Sequence, residues 1–301
     1  MNRLKQESLE RALSFISERA RRIDRTLARY WFDSGRRGDV LDAVAEFQNN
    51  DGGFGNAIEP DFRVKDSSPT ATTVAFQYLR SVKAPAQHPT VIRGIKYLMD
   101  TYDQEHGWWE PVPPSVNEAP HASWWHYQGP ATAFTANPAA EICACFQAYP
   151  ETVPSSLLDV VTTQSLRHLT GLPDTMEMHD MLCYLHLADE ANKVVQDTIV
   201  GKLQRGVREV VDFDTEMYSG YCAKPIWLAS SPESHLADVI MDGVETNLDY
   251  EICNQSADGS WEPFWTWDTF PEDWKQARME WQGHLTVKTL KALKDYGRWP
   301  I

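Results

Sequence analysis

The 301-residue sequence predicts an all-α protein, folded as a single domain of about six helical hairpins. Three observations carry that expectation. Apolar residues recur at helical spacing through most of the chain, and no series of alternating apolar and polar residues marks out strands. A turn of the form Gln, polar residues, Gly, aromatic also returns at a period of about 50 residues.

In the first segment Leu9, Leu13, Ile16, Ala20, Ile23, Leu27 and Tyr30 step by four and three, which predicts one helix over 9–30. Arg11, Arg19, Arg22, Arg25 and Arg29 fall mostly off that stripe and form a solvated face. The stripe suits either closure against the last hairpin or a subunit contact, so oligomeric partners stay open. Further helices, bounded by Gly, Pro or Asn, are predicted at Val40 to Phe47, Thr70 to Val82, Val91 to Tyr102, Ala139 to Tyr149, Leu157 to Leu169, Met176 to Leu187, Ile199 to Val211, Leu236 to Cys253 and Trp274 to Tyr296. Two stretches, Pro111 to Pro138 and Glu262 to Asp273, are dense in Pro and Trp and read as loops. Loops of that length inside a compact domain are usually functional.

The repeat is Gln48-Asn49-Asn50-Asp51-Gly52-Gly53-Phe54, Gln104-Glu105-His106-Gly107-Trp108 and Gln255-Ser256-Ala257-Asp258-Gly259-Ser260-Trp261. Phe54 and Trp108 are 54 residues apart, and Trp108 and Trp261 are 153 apart, close to three further periods. Each copy follows an apolar helix. The glycine permits a left-handed helix end, and the aromatic packs back between hairpins, so these positions read as architecture.

The formal charge is -15, and residues 1–37 hold ten Lys or Arg against five Asp or Glu, so the remainder is more acidic still. Nucleic acid and anionic lipid both require clustered positive charge, and this surface excludes them as general partners. The opening residues carry no apolar signal region and no stretch approaches a membrane span, which predicts a cytoplasmic protein without membrane insertion. The five cysteines, at 143, 145, 183, 222 and 253, are odd in number and lack C-x-x-C spacing, so reduced thiols are expected.

The three turns resemble the QW-type repeats of squalene and hopene cyclases, and their period is similar to that of the β subunits of protein prenyltransferases. With Asp51-Gly52-Gly53-Phe54-Gly55, Glu59-Pro60-Asp61 and Glu280-Trp281-Gln282-Gly283, the chain also resembles uncharacterised bacterial proteins of the same terpenoid-cyclase and prenyltransferase superfamily. The resemblance implies an α/α toroid, a ring of hairpins whose loops at one end meet at a central cavity. It does not carry either parent activity. The nearest string to the cyclase Asp-x-Asp-Asp acid is Asp212-Phe213-Asp214-Thr215-Glu216, which lacks the second adjacent aspartate and reads as a solvated turn. Asp249 and Cys253 have the wrong spacing for the prenyltransferase zinc ligands, even with His284 downstream, so no metal and no cofactor is expected.

Within such a ring, the Glu-Pro steps Glu59-Pro60-Asp61, Glu110-Pro111 and Glu262-Pro263 are expected to aim acids at one mouth, because a following proline restricts the glutamate backbone. Carboxylates crowded among indoles have their pKa values split, as acid and base work requires. Glu59, Asp61, Glu110 and Glu262 are therefore catalytic candidates, unless they cap helices or pair with Arg63, Arg93 or Arg278. His126, in Trp124-Trp125-His126-Tyr127, is the histidine expected to act as acid or base. His121 and His284 are lesser candidates, and His179-Asp180 reads equally as a buried pair. Twelve tryptophans occur, and Trp108, Trp109, Trp124, Trp125, Trp261, Trp265, Trp267 and Trp281 lie in or beside two loops, which favours a cavity lining over scattered core packing. With Arg63, these, apart from Trp267, are the substrate-binding candidates. Indole faces stabilise carbocations or stack on sugars. The expected activity is thus terpenoid-cyclase-like acid–base chemistry on a small to medium apolar molecule, with a carbohydrate-active enzyme or a non-catalytic binding scaffold as the alternatives.

Overall fold

Twelve α-helices and no β-strand form among residues 2–300, the residues that the structure, a computed structural model, describes. In order they are α1 (Gln6–Arg19), α2 (Arg22–Phe32), α3 (Arg37–Ala45), α4 (Pro69–Ser81), α5 (Pro89–Asp100), α6 (Ala136–Ala148), α7 (Ser155–Gly171), α8 (Met178–Glu190), α9 (Lys193–Val210), α10 (Pro225–Leu228), α11 (Ala237–Cys253) and α12 (Pro271–Asp295). Local chemistry sets several starts. Ser68 accepts from the Ala71 amide at the head of α4, with Pro69 at the first helical position, where its missing N–H costs nothing. Pro89 opens α5 in the same way. In α9, Val195, Ile199, Leu203 and Val207 are buried at every fourth residue, while Val194 on the adjacent face is exposed. No described helix is long and apolar enough to cross a membrane.

The helix expected over 9–30 breaks into α1 and α2. Ala20 and Arg21 are extended, with ψ of 155° and 154°. The apolar stripe runs on across this corner, so periodicity alone does not reveal it. Packing does: a Cβ on Gly283 of α12 would lie 2.9 Å from the Ala20 Cβ, so the bare glycine lets α12 seat against the corner. Two further differences come from short-range turns. The stretch from 111 to 138 contains 3-10 turns at Pro114–Glu118 and Ser123–Trp125, and α10 forms where no helix was expected.

The chain gathers into two compact units. The first comprises Met1–Arg36, Leu203–Thr266 and Pro271–Ile301, and the second Arg37–Lys202 with Trp267–Phe270. Ile16, Ile23, Leu27, Val244, Leu248, Val287 and Leu290 form the core of the first. In the second, α6 is buried almost all round, as a helix apolar on every face must be, and it packs against α4, α7 and α8.

The repeat turn is built the same way in both units. In the second unit, Gln48 donates to the Gly52 carbonyl at 2.8 Å, Asp51 accepts from the Gly53 amide at 3.0 Å, and the Phe54 amide donates to Thr72 Oγ1 at 3.1 Å. In the first unit, Gln255 donates to the Gly259 carbonyl at 2.9 Å, Asp258 accepts from the Ser260 amide at 3.1 Å, and the Trp261 amide donates to Thr286 Oγ1 at 3.1 Å. Gly52, Gly107 and Gly259 all have positive φ, of 94°, 86° and 94°. The middle copy corrects the sequence register. The Asp103 amide donates to the Trp108 carbonyl, as Asn49 does to Gly53 and Ser256 to Ser260, so the buried aromatic equivalent to Phe54 and Trp261 is Trp109 rather than Trp108. The turn there is one residue longer. Glu110 and Glu262 consequently occupy matching positions, whereas Glu59 lies five residues beyond Phe54, so the three Glu-Pro steps are not equivalent.

Candidate functional site

Three loops of the second unit are tied together around the Glu59-Pro60-Asp61 step. Phe62 and His121 form an isolated antiparallel bridge, the Ala122 amide donates to the Asp61 carbonyl at 2.8 Å, and the Arg63 amide donates to the Pro120 carbonyl at 2.9 Å. The Trp267–Phe270 segment supplies the third strand of contacts. Trp267 Nε1 donates to Asp61 Oδ1 at 2.9 Å, Ser123 Oγ donates to Asp268 Oδ2 at 3.3 Å, and Thr269 Oγ1 donates to the His121 carbonyl at 3.3 Å.

Glu59, Asp61 and His121 are buried, at 9 %, 5 % and 5 % exposure. Buried polar groups require partners. Glu59 Oε1 accepts from the Asp61 amide at 3.2 Å, and the Trp267 indole fixes the Asp61 carboxylate. His121 Nδ1 lies 2.6 Å from the Ala119 carbonyl, which can only accept, so this nitrogen carries the proton. Its Nε2 is therefore an acceptor, and it lies 3.1 Å from His126 Nδ1, which must donate. The tautomers follow in series: in the neutral pair, Nε2 of His126 is left with its lone pair outward. The two rings stack at 5.3 Å, and His126 itself is exposed. Trp125 packs edge-on against Phe62 at 5.4 Å, and Trp124 is half exposed. The arrangement is a histidine relay with a buried end and a solvent-facing end, beside two buried carboxylates and two accessible indoles.

The other expected site residues fall as follows. Trp109 is buried, its indole donating to the Leu98 carbonyl at 2.7 Å, and Trp261 is buried likewise on the Glu251 carbonyl at 3.0 Å, so both sit in the packing of their units. Trp108 is half-buried, 5.4 Å from the His106 ring. Glu110 accepts from the Ala131 amide at 2.8 Å. Glu262, in the first unit, is bound by Arg278 through two hydrogen bonds of 3.0 and 2.7 Å and by Gln282 at 2.8 Å. Trp265 and Trp281, also in the first unit, meet edge to face at 5.0 Å. Arg63 is half-buried. His179 and Asp180 do not form the buried pair considered above. His179 is exposed and donates to Glu177 at 2.9 Å, because the helix start at Met178 turns it outward beside its own cap.

Several charged clusters had no sequence signal. In the second unit Glu141 of α6 is buried between Arg80 of α4, bound by a short hydrogen bond, and His186 of α8 at 2.5 Å. Burial would raise the Glu141 carboxyl, but His186 and Arg80 together hold it below its ordinary range. In the first unit Asp24 is fully buried, 2.8 Å from Arg21 and 3.5 Å from His284. There too burial opposes ionisation, and Arg21 with His284 outweighs it, so Asp24 stays well below the usual carboxylate range. Burial pushes His284 down, toward its neutral form, despite Asp24. Also in the first unit, Lys224 donates to Glu251 at 2.9 Å and lies over the rings of Tyr218 and Tyr250, at 5.5 and 5.3 Å. Apart from Arg21, which lies three residues from Asp24, these partners come from segments separated in the chain, with no motif between them.

Among the described residues no group of three or more His, Cys, Asp or Glu side chains is arranged to hold a metal ion. No protein-family model matches the chain, and no curated protein matches it significantly.

Proposed function

We propose that the protein is an enzyme of the terpenoid-cyclase-like kind, an α/α toroid acting in the cytoplasm by acid–base chemistry on a small to medium apolar molecule. The observation that carries this reading is the His121–His126 relay beside buried Glu59 and Asp61. His126 Nε2 takes a proton from the substrate, and the ring becomes a donor on both nitrogens. His121 Nε2 continues to accept from Nδ1, so the positive charge is held by the pair. The reverse transfer makes the same ring a general acid. Asp61, fixed by Trp267, and Glu59 supply negative potential where a cationic intermediate is to be stabilised, and the faces of Trp124 and Trp125 add cation–π attraction.

The test is to incubate purified protein with a panel of prenyl diphosphates and polyprenes and to analyse products by mass spectrometry. Turnover is expected to fall about 100-fold or more in His126→Gln, the ordinary worth of one general acid–base group. Asp61→Asn and Glu59→Gln are expected to fall as well. Full activity in His126→Gln removes the relay from the mechanism. Turnover of oligosaccharides and not of polyprenes replaces this reading with a carbohydrate-active one, and no turnover of either leaves a binding scaffold.

A further inference from the structure

The first unit contains a row of aromatic rings that the acid–base reading does not use. Trp227 and Phe264 stack at 5.3 Å with an interplanar angle of 26°, and Phe264 meets Trp265 edge to face at 5.0 Å. Trp265 meets Trp281 edge to face at 5.0 Å, and Trp281 meets His284 in the same way at 5.6 Å. Tyr221, 67 % exposed, continues the row outward against Phe264 at 6.3 Å. Trp227, Phe264, Trp265 and Trp281 are each only half-buried, so this is not a closed core.

One polar atom in the row is out of balance. Trp265 Nε1 is sealed from solvent and donates to no group, the one buried side-chain nitrogen or oxygen among the described residues without a partner. A native fold rarely leaves such a donor, because an enclosed N–H without an acceptor loses its hydration for nothing. The charged groups at the edge of the row are already matched. Glu262 is held by Arg278 and Gln282, Asp24 by Arg21, and burial keeps His284 toward neutral. The site therefore offers flat apolar faces and one neutral donor.

We infer that this row binds a flat, uncharged, conjugated ligand bearing one hydrogen-bond acceptor, such as an aromatic or polyene ketone, ester or carboxamide. The ring system stacks among Trp227, Phe264, Trp265 and Trp281, which part on binding so that the acceptor oxygen takes the Trp265 N–H. The inference stands apart from the acid–base reading, whose groups belong to the second unit.

Equilibrium dialysis of the full chain against 2-acetylnaphthalene and 2-ethylnaphthalene tests it, since the two probes share a shape and only the first carries an acceptor. The acetyl compound is expected to bind saturably at one equivalent, and about tenfold more tightly than the ethyl compound, the worth of one hydrogen bond made in an enclosed site. Trp265→Phe, which keeps a ring and removes the donor, is expected to abolish that preference, bringing the two affinities to about the same value. Trp281→Ala is expected to weaken both probes. Failure of the acetyl compound to saturate overturns the inference. So does equal affinity for the two in the unmutated protein, a result that needs no variant to fold. A preference that survives in Trp265→Phe, with its far-UV circular dichroism intact, shows that another donor takes the acceptor and overturns it too.

Discussion

Each unit buries one carboxylate between an arginine and a histidine, and the two arrangements differ in where the partners come from. Asp24 draws its arginine from three residues away, at the head of α2, where the helix dipole also favours a negative charge. Its histidine, His284, is enclosed with it. Glu141 has no local partner. Arg80 reaches it from α4 and His186 from α8, and both His186 and the adjoining Glu190 are about one-third exposed, at 35 % and 30 %. One charge is thus compensated largely by its own turn of helix, the other only once three helices have packed. The same chemistry is a local device in one unit and a tertiary lock in the other.

The largest expected effect comes from breaking the lock. Arg80→Leu leaves Glu141 buried with only a partly exposed histidine, and should cost about 3–5 kcal/mol in urea unfolding. Arg21→Leu should cost clearly less, because the helix terminus still serves Asp24. Equal losses would erase the distinction. Next comes acidification. Both carboxylates titrate below their unfolded values, so their contribution is present above about pH 4 and is lost as pH falls through the folded values. His284 is depressed too, so the stability it confers is present above about pH 6.5 and declines below it. Urea midpoints followed against pH should show this earlier decline, and His284→Gln should remove it while Asp24→Asn flattens the carboxylate limb.

The repeat turns sharpen the same contrast by supplying features the two units share. A Cβ on Gly52 would lie 2.5 Å from the Arg93 carbonyl oxygen, and one on Gly259 would lie 2.4 Å from the Arg11 carbonyl carbon. With positive φ at each, Gly52→Ala and Gly259→Ala should each destabilise by about 1–3 kcal/mol. Thr72→Val and Thr286→Val remove the hydroxyl that accepts from the aromatic residue's amide and donates to the Ser68 or Gln282 carbonyl, and each should cost about 1 kcal/mol. Matched losses across the two units mark one motif used twice. A large mismatch would mean that the likeness stops at geometry.

What the sequence reveals is what is local. Helical spacing marks eleven of the twelve helices at least in part, but it runs α1 into α2, because the corner at Ala20 is set by Gly283 more than 260 residues away. The repeat is legible through its glycine, and its register fails in one copy, because the added residue before Trp108 is seen only in which carbonyl the Asp103 amide finds. In the relay, His126 stands out within an aromatic string, while its tautomer depends on His121 and the Ala119 carbonyl. Asp268 and Ser123 carry no signal at all, since their meeting depends on a loop some 140 residues downstream. Arg80, Glu141 and His186 are likewise ordinary residues on three separate helices until those helices pack.

All five cysteines are free, and only Cys253, at the end of α11, is exposed. The others are shielded, and burial pushes the Cys143 thiol up to about 11, which suppresses its reactive thiolate at neutral pH. A maleimide dye or spin label added to the folded, unmutated protein would thus attach at a single position, two residues before the Gln255 turn. Release of the remaining thiols to the reagent would then time the opening of the molecule, one sulfur at a time.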